Sequence, residues 1–195
     1  MSQPSSQEIL NKLYEVLFIV PTKYVNAILA LHQRFEGKNI SWVVNGDLAE
    51  ALRTVKVNPD CIEIVCTKQD AEKIFQAVRD LNPSPIDYQT RQLPRNAVID
   101  GSELPILVKS YYFDFNLESI LVKVQGDLQF KVGNWDWGDI FLFAPEYVYV
   151  VGKKTAVTPL AIKAELYQYF GWNDRFEKVK EIIQKPLLLK QRRPT

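Results

Sequence analysis

The sequence predicts an α/β protein of the α+β type, a mixed β-sheet flanked by helices and followed by C-terminal helices. Three observations carry this. The stretch from Trp42 to Cys66, WVVNGDLAEALRTVKVNPDCIEIVC, reads as strand, glycine turn, helix, loop and strand. From Ile86 to Asp139 the chain changes to short strand-type runs separated by turn residues. From about Pro159 it returns to helical spacing. Side chains alternate faces along a strand and recur every third or fourth position on a helix, so each change of period marks a change of element.

In chain order, Ser6 and Glu8 ahead of the spaced Ile9, Leu10, Leu13 and Leu17 predict a first amphipathic helix. A second covers about Lys23 to Phe35, with Val25, Ile28, Leu29, Leu31 and Phe35 apolar, and Gly37 ends it. Ser41 to Val44 is a strand, Asn45-Gly46-Asp47 a turn, and Leu48, Ala49, Ala51 and Leu52 carry helical spacing. Ile62 to Cys66 is an apolar strand. Gln69 to Leu81 is a helix closed by Asn82-Pro83-Ser84-Pro85, since proline cannot continue one. Strands are expected at Ile86 to Tyr88, Leu107 to Phe115, Ile120 to Val124 and Leu128 to Val132, the last two separated by a Gly126-Asp127 turn. A helix from Pro159 to Phe170 is apolar around most of its circumference and therefore buried. Gly171 caps it, and Asn173 to Gln184 forms an amphipathic successor. The expected division is an α/β domain over residues 1–150 and a helical segment over 151–195 that packs on it and ends in a basic tail, Lys190 to Arg193.

Lys and Arg number 24 against 23 Asp and Glu, a formal net charge of +1, so no global field draws the chain to nucleic acid or to an anionic membrane. The apolar stretch Val16 to Val20 is too short to span a bilayer and is closed by Pro21. Cys61 and Cys66 are five apart in one expected strand, which turns them to opposite faces and argues against a bridge. Together these features suit a cytoplasmic protein. With the single histidine, His32, read as a helix-surface residue, the two cysteines cannot complete a zinc site of four ligands.

A helix that starts directly after a glycine turn presents unpaired N–H groups to an anion, which makes Asn45, Gly46 and Asp47 candidates for holding a phosphate. Gly46, the acidic Glu63 within Cys61-Ile62-Glu63, and Gly126-Asp127 at the end of LVKVQGD follow one another as do the motifs of the DNA polymerase beta-like nucleotidyltransferase superfamily, whose small members this chain resembles over roughly residues 40–185. The resemblance implies a glycine-serine helix start, an Asp-x-Asp strand and a later strand with a third carboxylate, together holding two divalent metals for attack on the α-phosphate of a nucleoside triphosphate. It also implies terminal helices that close the sheet.

The departures from that pattern fall on the ligands. Asp47 replaces the serine, Cys61 the first Asp, Glu63 the second, and Lys123 occupies the third acidic position. A thiol suits soft metals rather than magnesium, and an ammonium repels any cation. Because Glu63 sits in an apolar strand, it requires a polar cleft or a partner, and Lys123 on the adjacent strand is the candidate for an ion pair that replaces the metal. Under this reading the catalytic position is vestigial, no metal cofactor binds, and Asn45, Gly46, Asp47 and Lys123, with Lys56 in reserve, hold a nucleotide in a binding or regulatory module with a possible protein partner. Under the alternative, Asp47, Glu63 and Asp127 form a relocated cluster for Mg or Mn in an active transferase, with Asp114 as a further acid. Trp135 and Trp137 either pack the sheet or stack a base.

Overall fold

The computed structural model describes residues 20–184. The expected helix around Ile9 to Leu17 and the tail from Lys190 lie outside them. Helix α1 (Thr22–Phe35) is followed by β1 (Val43–Asn45), the short α2 (Gly46–Ala51), β2 (Ile62–Cys66) and α3 (Lys68–Ala77). The strand-rich centre holds β3 (Asp87–Gln92), β4 (Ala97–Ile99), β5 (Ser102–Leu104), β6 (Ile106–Leu117), β7 (Ile120–Val132), β8 (Glu146–Val150) and β9 (Lys153–Val157), and the described chain ends with α4 (Leu160–Tyr169) and α5 (Asn173–Gln184).

Seven strands form one sheet in the order β3-β6-β7-β2-β1-β9-β8, and β4 pairs with β5 apart from it. The sheet is mixed: β2 runs parallel to β7 and β1 to β9, whereas β1 and β2, β6 and β7, and both outer pairs are antiparallel. One face carries Val44, Ile62, Ile64, Phe113, Phe115, Val122, Val124 and Val157 against Ala27, Ile28 and Leu31 of α1 and Ala71 and Ile74 of α3, the principal core. Each fully buried aliphatic side chain there contributes about 1.5–3 kcal/mol. The opposite face carries Asn45, Glu63, Gln125 and Leu128 and is overlaid by α4 and α5.

Three sequence expectations change. The two strands expected at Ile120 and Leu128 are one, β7, and Gly126-Asp127 is a bulge in it rather than a turn. The β6 partner shifts from Gly126 opposite Tyr111 to Gln129 opposite Lys109, and Asp127 takes a left-handed φ of 49°. Two residues on one strand facing one on the other reverse the alternation locally, so Gln125 and Leu128 both face α4 and α5. Gly126 is needed where α3 crosses, because a Cβ there would stand 3.0 Å from Lys68 Cα. The second change is at Glu146 to Val157, where a hairpin turning at Val151-Gly152 supplies β8 and β9, so the segment after residue 150 gives the sheet a strand before it turns helical. The third concerns His32, whose ring is half-buried: its Nε2 lies 2.9 Å from Thr155 Oγ1 and it packs edge-on to Trp42 at 5.1 Å. Among the described residues no helix is long and apolar enough to cross a membrane.

Candidate functional site

Between the sheet and the α4–α5 pair lies a cavity of about 300 Å³. At one end it is polar, with Asn45, Gly46, Asp47, Glu63, Gln125, Lys163 and Arg175. At the other it is apolar, with Phe130, Phe141, Phe170 and Trp172. The sheet supplies the polar floor because Asn45 and Glu63 are cross-strand partners on β1 and β2, and Gln125 stands on the neighbouring β7.

Glu63 is the centre of the polar end. Its carboxylate packs against the Gly46 backbone, so closely that a Cβ on Gly46 would lie 2.9 Å from Glu63 Cδ. Gly46 has φ +64° and leads straight into α2, which is only six residues long. The anion beside this helix start is therefore the protein's own carboxylate. Two amides donate to Glu63 Oε2 at long range, Asn45 Nδ2 at 3.4 Å and Gln125 Nε2 at 3.5 Å. Both amides are oriented from behind. Arg91 Nη2 donates to Gln125 Oε1 at 3.0 Å, and Thr158 Oγ1 donates to Asn45 Oδ1 at 2.9 Å. Arginine has no acceptor, so Gln125 must turn its oxygen to Arg91 and its NH2 to Glu63. Arg91 is itself fixed with its guanidinium 3.6 Å from the Tyr112 ring centroid.

The ion pair expected between Glu63 and Lys123 does not form. The register is as the strand order requires, Glu63 opposite Lys123, but the ammonium makes no salt bridge to the carboxylate and does not line the cavity. Two side chains level on adjacent parallel strands rise side by side from the sheet, and contact needs one of them to lean across. Lys56 is exposed and away from the cavity as well.

Asp47 is tied to the C-terminal helices. Arg175 of α5 donates to Asp47 Oδ1 at 2.6 Å and to Glu50 Oε2 at 2.8 Å. Glu50 is fully buried, accepts from the Tyr167 hydroxyl, and lies 3.8 Å from Lys163 Nζ. Burial alone would lower the Arg175 pKa, but the hydrogen bond to Asp47 and the charges around it raise it above its ordinary value. Burial, and then the Glu50 charge, push the Tyr167 hydroxyl up. These five side chains clamp α2 to the helical cover and pair the cations at the polar end with the protein's own carboxylates, while the buried Arg175 Nε has no hydrogen-bond partner.

Asp127 is not part of this end. Its Oδ1 accepts from Lys68 N at 2.9 Å, at the start of α3, and the residue does not line the cavity. The relocated cluster of Asp47, Glu63 and Asp127 is therefore not assembled, because the bulge that seats Gln125 and Leu128 over the cavity turns Asp127 to the helix. Asp114 accepts from the Tyr112 hydroxyl at 2.8 Å and likewise stays outside. Cys61 is buried, and burial pushes its thiol up to about 12, so it is protonated at neutral pH and a poor metal ligand. Trp135 is exposed and packs edge-on to Tyr169, and neither it nor Trp137 reaches the cavity, whose aromatic wall comes from Phe130, Phe141, Phe170 and Trp172.

A pair of divalent ions needs several carboxylate oxygens around one point. Among the described residues no three His, Cys, Asp or Glu side chains gather in that way. Glu63 faces two amide NH2 groups rather than oxygens, and Asp47 is engaged by Arg175. The residues present do not fit a two-metal centre.

Sequence reasoning missed Glu50, Arg91, Gln125, Lys163, Tyr167 and Arg175. Glu50 carried the one legible signal, an acid among Leu48, Ala49, Ala51 and Leu52 in a short helix. The others depend on which elements meet.

A mixed sheet packed by helices on one face, with a glycine-started short helix beside its central strands and terminal helices over the other face, defines the nucleotidyltransferase-like fold. The particular likeness is to a candidate nucleotidyltransferase from Thermotoga maritima, at TM-score 0.59 and 19% identity, covering 84% of this chain and 94% of that one. Weaker matches are ANT(2'')-Ia in complex with adenylyl-2''-tobramycin, at TM-score 0.46, 11% identity, 83% of this chain and 90% of that one, and the lincosamide antibiotic adenylyltransferase LnuA with lincomycin bound, at TM-score 0.44, 14% identity, 84% and 98%. No protein-family model and no curated protein matches the sequence.

Proposed function

We propose that this protein is a nucleotidyltransferase-fold binding module, with the cavity between sheet and α4–α5 as its ligand site, and that it does not perform two-metal nucleotidyl transfer. The observation that carries this is the position of the Glu63 carboxylate, packed against Gly46 and facing two amide donors, where transfer would need a cluster of oxygens around metal ions and room for a phosphate. Asp47 reinforces it, since a second carboxylate at the start of α2 opposes an incoming triphosphate. The phosphates of the nucleotide expected from the sequence meet two carboxylates at the polar end, which leaves the aromatic end to hold a flat ring. Binding rather than chemistry then supplies any regulatory or partner-directed role.

Incubation with each labelled nucleoside triphosphate and manganese is expected to leave no label on the protein or on added acceptors, and calorimetric titration with manganese to give no heat that depends on Glu63. Transfer of label, or metal binding that vanishes in Glu63→Gln, overturns the proposal.

A further inference from the structure

We infer that the cavity selects an organic cation, a flat ring carrying a protonated amine, with the ammonium on Glu63 and the ring on the aromatic wall. This rests on the cavity being the ligand site and names the class of ligand it takes.

Arg175 is shared between Asp47 and Glu50, Lys163 lies beside Glu50, and Arg95 at the rim makes a two-point pair with Asp174 at 2.6 and 3.1 Å. Every cation that lines the cavity thus has a carboxylate of its own. Among the described residues Glu63 alone of the lining charges has none: it receives only the two long amide contacts, and Lys123 on β7 and Arg91 on β3 stand outside the cavity wall. A half-buried carboxylate with neutral donors on two sides still lacks a counter-charge on the third, which is the cavity itself. An ammonium supplies up to three donors to that open side, in a charge-assisted bond shielded from bulk water. A compact metal ion is served less well, since the amides beside Glu63 present hydrogens. The aromatic side chains of Phe130, Phe141 and Phe170 line the same cavity and offer apolar surface to the ring of the organic cation. Anionic ligands meet Glu63 and Asp47, and each cation that lines the cavity among the described residues is already paired with a carboxylate.

The test uses three probes that share a phenylethyl group and end in a cation, a neutral hydroxyl and an anion: phenethylamine, 2-phenylethanol and 3-phenylpropionate, titrated calorimetrically into the full chain at neutral pH. The amine is expected to bind about tenfold or more tightly than the alcohol, and the carboxylate weakest. In Glu63→Gln the ratio of amine to alcohol affinity should fall to about one. Equal affinities for amine and alcohol, preference for the carboxylate, or no binding of any probe overturns the inference. So does an amine preference that survives Glu63→Gln. The outcomes separate from those of the proposed function: nucleotide transfer with manganese would remove the non-catalytic reading and leave an amine preference standing, whereas equal amine and alcohol binding would remove the preference and leave a binding module.

Discussion

Glu63 owes its position to the smallest residue in the chain. Gly46 allows two things that no other residue allows together, a left-handed φ of +64° at the start of α2 and contact between its Cα and the Glu63 carboxylate. Gly46→Ala meets both obstacles, since L side chains disfavour that backbone region by about 1–2 kcal/mol and the new methyl would sit 2.9 Å from Glu63 Cδ. The expected result is a loss of about 1–3 kcal/mol in urea unfolding, accompanied by loss of ligand binding at the polar end. A variant as stable as the parent would show that Glu63 is not packed against this position. The contrast with Cys61 is instructive, because both residues stand at acidic positions of the resembled motif. The thiol is buried and protonated, whereas the carboxylate is half-exposed to the cavity, and this difference makes Glu63 alone available to a ligand.

At the scale of elements, the helices are fixed to the sheet by single polar contacts whose loss is measurable. Asp127 accepts from the first backbone N–H of α3, an orphan donor otherwise, and aspartate tolerates the left-handed φ that the bulge imposes. Asp127→Ala should cost about 1–2 kcal/mol, while Asp127→Asn, which keeps an acceptor and the same backbone tolerance, should lose much less. Equal losses in a denaturation series would remove the capping role. His32 joins α1 to β9 through Thr155, and burial, followed by the Lys153 charge, lowers its pKa from 6.5. A lowered value means that the folded protein binds this proton less readily than the unfolded chain. Its contribution to stability is complete above 6.5 and falls away as pH drops through the interval down to the folded value. His32→Gln should flatten that part of the stability curve, and an unchanged slope between pH 7.5 and 5 would exclude His32 as its source. These elements also define what was legible beforehand. α1, β1, β2, α3, α4 and α5 followed from apolar periodicity and from glycine and proline punctuation. The hairpin of β8 and β9 was hidden because Tyr147 and Tyr149 alternate toward solvent rather than into the core. The Gly126-Asp127 bulge was hidden because glycine followed by aspartate is also the signature of a turn, and only pairing with β6 distinguishes the two.

On the scale of the whole molecule, the sheet and its cover are one continuous device. β9 lies beside β1, one strand in from the β8 edge of the sheet, the Thr158 N–H bonds Val44 O at 3.0 Å, and the chain passes directly into α4 over the cavity. α5 then returns Arg175 to α2, which precedes the cover by more than a hundred residues of chain. No periodicity reveals a contact of that separation, and this is why the network escaped the sequence. A fully buried carboxylate is tolerable only while its partners are present, so the sign of each substitution follows from the charges left behind. Arg175→Met leaves Glu50 with only Lys163 and the Tyr167 hydroxyl, and should cost about 3–5 kcal/mol. Removing the remaining buried charges together, Glu50→Gln and Lys163→Met on top of Arg175→Met, leaves only the partly exposed Asp47 unpaired and should recover a large part of that loss. If the single variant unfolded within experimental error of the parent, α5 would not be held by this network. If instead the triple variant were less stable than the single one, the hydrogen bonds rather than the charge balance would be what holds the cover. Arg175 also neutralises Asp47, which lines the cavity beside Glu63, so the Arg175→Met backgrounds expose a second carboxylate and should bind the amine at least as tightly as the parent.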